Sequence, residues 1–201
     1  MPSTTRTQQR EVTRSALLRE SRRLFAAKGY GAVGLSEIVA ATGVTKGALY
    51  HNFASKAELF RAVLEQLQRE VGDRVAAAAA AHTDPWTQLM VGCETFLTTC
   101  TGPEIQRIML IDGPAVLGWH QWRALDEATS ARHLAEALAM LIDNGVLTPQ
   151  PIEPLTHLLS GAMNEAALWL ASTDDPRALA DTTAALHRLL EAMRTGSRDH
   201  P

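Results

Sequence analysis

A chain of 201 residues fits one or two small domains and is long enough to bury a core. Its 46% hydrophobic and 20% charged residues exclude a disordered chain. Residues 1–60 carry nine Lys and Arg against four Asp and Glu, a net +5, whereas residues 61–201 carry ten against eighteen, a net −8. The basic portion suits a polyanion and the acidic remainder does not. Cys93 and Cys100 are too few for a disulfide framework, and two helical turns separate them by about 10 Å, so they read as small buried apolar residues. The N-terminal MPSTTRTQQREVTR lacks the apolar region of a signal peptide, and no apolar run approaches a membrane span. A soluble, cytoplasmic protein is expected.

Nothing alternates with period two, while helical spacing recurs, so the chain is expected to be all-α with about nine helices. Leu17, Leu24 and Phe25 form an apolar stripe, Arg14, Arg19, Arg22 and Arg23 occupy other faces, and Gly29 ends the first helix. Leu35–Thr42 is a second, short helix with Ile38 and Val39 facing inward, followed by a Gly43-Val44 turn. Thr45 caps a third helix that ends near Phe53. Ser55-Lys56-Ala57-Glu58 is a capping box that opens a long helix through Leu59, Val63 and Leu67 into the alanine run 76–81. Asp84-Pro85 and Asp175-Pro176 both read as a cap followed by proline at the first helical position. Further helices are expected near Trp86–Thr99, Glu104–Leu110, Gly118–Asp143, Pro154–Ser172 and Pro176–Arg194, with residues 196–201 frayed.

Two short helices joined by a Gly-Val turn, between a basic helix and a capped one, describe a helix-turn-helix. Its second helix can enter a major groove of about 12 Å, N-terminal residues nearest the base edges. The same arrangement serves as an αα-corner in many helical cores, and the +5 charge of the segment favours the DNA reading.

The stretch SALLRESRRLFAAKGYGAVGLSEIVAATGVTKGALYHNFASKAELF resembles the DNA-binding half of the TetR (tetracycline-repressor-like) family of bacterial transcription regulators. The resemblance runs from Arg14 to Phe60, and GVTKGALYHNFASKAELF is its most specific part. It implies a homodimer of nine or ten helices, a variable C-terminal ligand-binding domain, and release from DNA on ligand binding. It also places Thr45, Lys46, Gly47, Tyr50 and His51 at recognition-helix positions and Lys56 at the basic position opening the fourth helix. The chemistry agrees: Thr45, Tyr50 and His51 can donate to phosphates, and Lys56 stands in a helix first turn that already attracts anions. Lys46 is the candidate reader of a guanine edge, Ala48 can touch a thymine methyl, and Gly47 permits close backbone approach. One departure is visible. Where the family carries Ser or Thr as the cap of the second helix this chain has Gly34, and Ser36 is the candidate to take over the phosphate. Arg6 and Arg10 can follow the DNA backbone or simply be solvated.

Gly29 to Gly34 spells G-x-G-x-x-G, yet a helix precedes it and no strand is visible, so a dinucleotide site is not expected. His133 and Glu136 share a helix face but read as a solvated pair, and neither a metal site, a cofactor nor catalytic residues are expected.

In the acidic remainder, RIMLIDGPAVLGWHQWRALDE places Trp119 and Trp122 one helical turn apart, either as core or as a pocket wall. Phe96, Met109, Trp119, Trp122, Met140 and Trp169 are the candidate pocket surface, with Asp112, His120, Gln121, Asn164 and Glu165 as polar orienters. Asn164 and Glu165 interrupt an apolar helix and can equally serve a dimer interface. Gly161, Ala162, Ala166 and Ala167 would let a partner helix approach, with Leu179, Leu186, Leu189, Leu190 and Met193 as apolar area, in a four-helix bundle between subunits.

The expected architecture is an N-terminal three-helix DNA-binding unit over residues 1–53 and a helical ligand-binding and dimerisation domain over 54–201. The expected function is a regulator of transcription, a repressor bound as a dimer to a palindromic double-stranded operator and released by a small-molecule effector. The alternative is a helical small-molecule carrier whose basic end serves solubility.

Overall fold

The computed structural model describes residues 6–195. Eleven α-helical segments and one π-helical stretch make up this part, with an isolated bridge between Leu147 and Arg194 as its only β pairing among the described residues. The all-α expectation holds.

α1 (Arg6–Lys28) ends where Gly29 turns left-handed at φ 78°, its N–H closing on the Phe25 carbonyl at 2.8 Å. α2 (Leu35–Thr42) buries Ile38 and ends at Gly43, φ 68°. α3 (Lys46–Asn52) starts from Thr45, whose hydroxyl accepts from the Ala48 N–H at 3.1 Å, and anchors through Leu49 and Phe53. α4 (Lys56–Ala80) opens on the expected box: Ser55 Oγ accepts from the Glu58 N–H at 3.1 Å, and Glu58 reaches one residue past the cap to the Ala54 N–H at 2.7 Å. Leu59 and Phe60 at its start close the small N-terminal core, with the Phe60 ring edge-on to Phe25 and Tyr30 at 5.3 and 5.1 Å.

α5 (Pro85–Cys100) begins at the Asp84 cap, packs along α4 and buries both cysteines as free thiols. Burial pushes the Cys93 thiol up to about 12 and Cys100 further, so both are inert apolar residues, as expected. α6 (Pro103–Ile105) runs directly into a π-helical stretch (Gln106–Asp112) and then α7 (Gly113–Leu117). In π registration the donor for the Met109 carbonyl would be residue 114, a proline without N–H. The Trp122 indole supplies it instead, at 2.7 Å. A side chain at Gly113 would meet Trp122 Cδ1 at 2.8 Å, so the glycine makes room for that indole.

The single helix expected over 118–143 is two, α8 (Trp119–Glu127) and α9 (Ser130–Asp143). Thr129 breaks it, its hydroxyl donating to the carbonyls of Leu125 and Asp126 and so satisfying the last turn of α8. α10 (Ile152–Ser172) packs on α9 and α5. α11 (Ala178–Glu191) begins two residues later than Asp175-Pro176 suggested, because Asp175 caps a turn at the Arg177 N–H and Pro176 lies inside that turn. One continuous core runs from Leu17 and Phe25 through α4 into α5, α9 and α10. No helix among the described residues is long and apolar enough to cross a membrane.

Candidate functional site

α3 lies on the outside of the N-terminal unit, held down by Leu49 and Phe53. Thr45, Lys46, Gly47, Tyr50 and His51 are exposed, Ala48 is half-buried, and Tyr50 leaves 50% of its surface open. A Cβ on Gly47 would meet only Thr45 Oγ1 at 3.9 Å, so nothing inside the protein requires glycine there. The first turns of α1 flank α3: Arg10 and Thr13 line one shallow groove with Gly47, Ala48, His51 and Asn52. Arg14 anchors that side, donating to the Asn52 carbonyl at 3.4 Å and stacking over Phe53. The side chain of Arg6 lies outside the described residues. Gly34 caps α2 without a side-chain hydrogen bond, and Ser36 is exposed beside it.

Lys56 is placed differently from the expectation of a free phosphate ligand. Its ammonium donates to the carbonyls of Tyr30 and Val33 at 2.9 and 2.8 Å and sits 4.0 Å above the Tyr30 ring. It pins the loop between α1 and α2, leaving one of three donors for anything outside.

That loop is also tied to the second half of the molecule. Asp112, at the end of the π-helical stretch, accepts from the Tyr30 N–H at 2.7 Å and pairs with Arg107 at 3.5 Å. Arg22 of α1 makes a fork to Glu104 at 2.9 Å and another to Glu70 of α4 at 2.7 Å. These glutamates raise the guanidinium, and Arg22 in turn holds the Glu104 carboxyl below its ordinary value. Asp112 therefore ties the loop after α1 to the π-helical stretch and does not line the cavity described next.

A partly open cavity of about 80 Å³ lies between α4, α5, α9 and α10. Val75, Ala76, Ala79, Leu89, Phe96 and Met163 give it apolar walls; Gln88, Ser130, His133 and Ser160 are its polar side chains. The alanine run contributes to the wall because short side chains leave space. Behind Ser160 sits Asp126, 3% exposed, which accepts from Arg123 at 2.7 Å, Ser160 at 3.1 Å and Asn164 at 3.5 Å. Burial pushes the Asp126 carboxyl up, and Arg123 opposes it.

Of the expected pocket residues, Phe96 lines this cavity. Asn164 joins the Asp126 cluster, with its Oδ1 buried and unpartnered. Met109 is buried in the π-helical stretch, and Trp122 is core, 3% exposed. Trp119 is 61% exposed though its ring lies tilted against Trp122 at 5.1 Å, and His120, Gln121, Met140 and Glu165 face outward. His133 and Glu136 do not pair: both meet Arg132, Glu136 at 3.6 Å and His133 through Nε2 at 3.4 Å, while His133 also lines the cavity. No metal-holding group of side chains exists among the described residues.

On α10, Leu158, Gly161, Ala162, Glu165 and Trp169 form one exposed face, with Leu158 at 72% and Trp169 at 51%. Leu189 on α11 is also exposed. Leu186 and Leu190 are buried within the chain's own core and present no surface to a partner; Ala166, Leu179 and Met193 are half-buried against the core.

Comparison with known proteins decides the family. The model for bacterial regulatory proteins of the tetR family matches residues 17–63, and the model for tetracyclin repressor-like C-terminal domains matches residues 86–193. The chain belongs to the TetR family. It is 30% identical over 170 residues to an HTH-type transcriptional repressor of Mycobacterium tuberculosis, covering 83% of this chain and 87% of the relative. The Tn10 TetC protein of Escherichia coli is 28% identical over 149 residues, 74% of this chain and 75% of the relative. A TetR-family regulator from Pectobacterium atrosepticum superposes with a TM-score of 0.79 at 34% identity, covering 96% of this chain and 100% of that one. As a TetR-family regulator the protein is a DNA-binding transcription factor and not an enzyme. The glycines of the G-x-G-x-x-G accordingly sit between two helices, as read from the sequence.

Proposed function

We propose that this TetR-family protein is a cytoplasmic repressor that binds a palindromic operator as a homodimer and is released by a small-molecule effector. The observation that carries the DNA part is α3, which exposes Thr45, Lys46, Gly47, Tyr50 and His51 while Leu49 and Phe53 fix it from beneath. In this reading Lys46 reads a base edge, Ala48 meets a thymine methyl, and Thr45, Tyr50, His51 and Ser36 hold phosphates. Lys56 chiefly positions the loop that orients α2, with one donor left for the backbone.

Residues up to 53 form the DNA-binding unit and those from 54 onward the effector and dimerisation unit, with α4 as the lever between them. The second copy covers the open face of α10, where Gly161 and Ala162 allow close approach and Leu158, Trp169 and Leu189 supply apolar area. The paired α3 helices would then reach successive major grooves about 34–36 Å apart. An effector favours a spacing that misses this register and shifts the population off DNA.

Selection of bound DNA from a random pool tests this reading. Enrichment of an inverted repeat with half-sites about 10 base pairs apart, or a multiple of it, is expected; enrichment of no motif would count against it.

A further inference from the structure

The chemistry of the cavity goes one step further and rests on the reading that it is the effector site. We infer that its ligand is a compact, uncharged, largely apolar molecule that presents a hydroxyl group to Ser160 and His133. The cavity measures about 80 Å³ where one water needs only about 10–15 Å³, so with its open mouth it admits a compact ring with short substituents and no long chain.

Charge decides the rest. No Lys, Arg, Asp or Glu lines the cavity, so an anionic or cationic headgroup would lie there without a partner. The nearby carboxylate does not change this, because Asp126 stands behind Ser160 and is paired with Arg123 at 2.7 Å.

Ser160 fixes the polarity of the contact. Its hydroxyl gives its one proton to Asp126 at 3.1 Å and accepts from Arg123 at 2.8 Å, leaving a single lone pair and no proton for the cavity. The ligand must therefore donate. His133 Nδ1 is buried without a partner, and the same residue lines the cavity wall. His133 Nε2 lies 3.4 Å from the Arg132 guanidinium, which can only donate, so Nδ1 bears the proton and a ligand hydroxyl oxygen accepts it. A carboxylate cannot donate to Ser160, and an ether cannot either.

Calorimetric titration of the intact protein with para-cresol, toluene, para-toluate and para-methylbenzylammonium tests this. The cresol is expected to bind about tenfold tighter than toluene, the worth of one net hydrogen bond, and tighter than both charged probes. Ser160→Ala is expected to bring cresol down to the level of toluene. Should that variant fold poorly, His133→Leu tests the second contact, and Ala137→Leu, which fills the cavity, is expected to abolish both cresol and toluene binding. Tighter binding of either ion, parity of cresol and toluene, no binding of any probe, or undiminished binding by Ala137→Leu overturns the inference. DNA binding by the unliganded protein is measured alongside. Its loss with the cresol preference intact would strike the regulator reading alone, and the converse would strike the cavity chemistry alone.

Discussion

The Asp112 carboxylate accepts a hydrogen bond from the Tyr30 backbone N–H at 2.7 Å, joining the end of the π-helical stretch to the loop that leaves α1. Trp122 holds the same stretch from the other side through the Met109 carbonyl, and Trp122 shares α8 with Arg123 and Asp126. Three groups of hydrogen bonds, joined only through the backbones of α8 and the π-helical stretch, thus lead from Ser160 to the loop after α1. Asp112→Ala is expected to leave DNA and effector each able to bind but to cut their coupling by about tenfold, within the usual 1–3 kcal/mol of such linkage. Operator affinity with and without effector, measured by anisotropy, gives the coupling directly; an unchanged ratio would remove Asp112 from the route.

Lys46 and Lys56 are expected to separate by mechanism. Lys46→Ala should leave thermal stability unchanged, since the side chain is exposed, and relax sequence preference at one operator position. Lys56→Ala should cost about 1–3 kcal/mol of stability, because two buried-side carbonyls lose a charged donor. Denaturant unfolding and operator profiling of both variants check this, and equal stability of the two would refute the clamp.

Gly47→Ala is expected to stabilise α3 slightly, by up to about 1 kcal/mol, yet to weaken operator binding, since the new methyl meets open space in the free protein and DNA in the complex. Intact binding would show that the backbone does not approach closely.

How much of this was legible in the sequence depends on how far each signal reaches along the chain. Thr45, Ser55 and Asp84 cap helices a few residues away, and all three were readable. The Arg22–Glu104 pair spans 82 positions, and nothing local to either residue announces it. Trp119 and Trp122 have the same local spacing in sequence, but only the Met109 carbonyl left open opposite Pro114 sends Trp122 inward. The cavity draws single faces from four helices, and its alanines read equally as plain helix formers. Trp169 looked like a pocket wall because an apolar aromatic on a buried helix usually is one; its exposure beside Gly161 and Ala162 moves it to the α10 face.

Trp169→Asp is expected to give a folded monomer, because the side chain is half exposed in the protomer and only a partner helix would object to the charge. Light scattering after size exclusion and far-ultraviolet dichroism decide between that outcome and a persistent dimer.

Acid should loosen the joint between the two units. Arg22 lowers the Glu104 carboxyl from its ordinary 4.5, so its contribution is complete above that value and lost as pH falls through the lowered one. Glu104→Gln is expected to flatten the melting-temperature profile below about pH 4.5, by an amount on the order of 1 kcal/mol because the pair is only partly buried. A profile identical to that of the unaltered protein would show that the pair adds nothing.

The central claim is that α3 and the basic face around it bind double-stranded DNA through several phosphates and fixed dimer spacing. Anisotropy titration of the DNA adjoining its own gene, between 50 and 200 mM salt, measures this most directly. Affinity is expected to fall by about 10³-fold or more, as for six or more neutralised phosphates per dimer. Binding that is absent at low salt, or insensitive to salt, would contradict it.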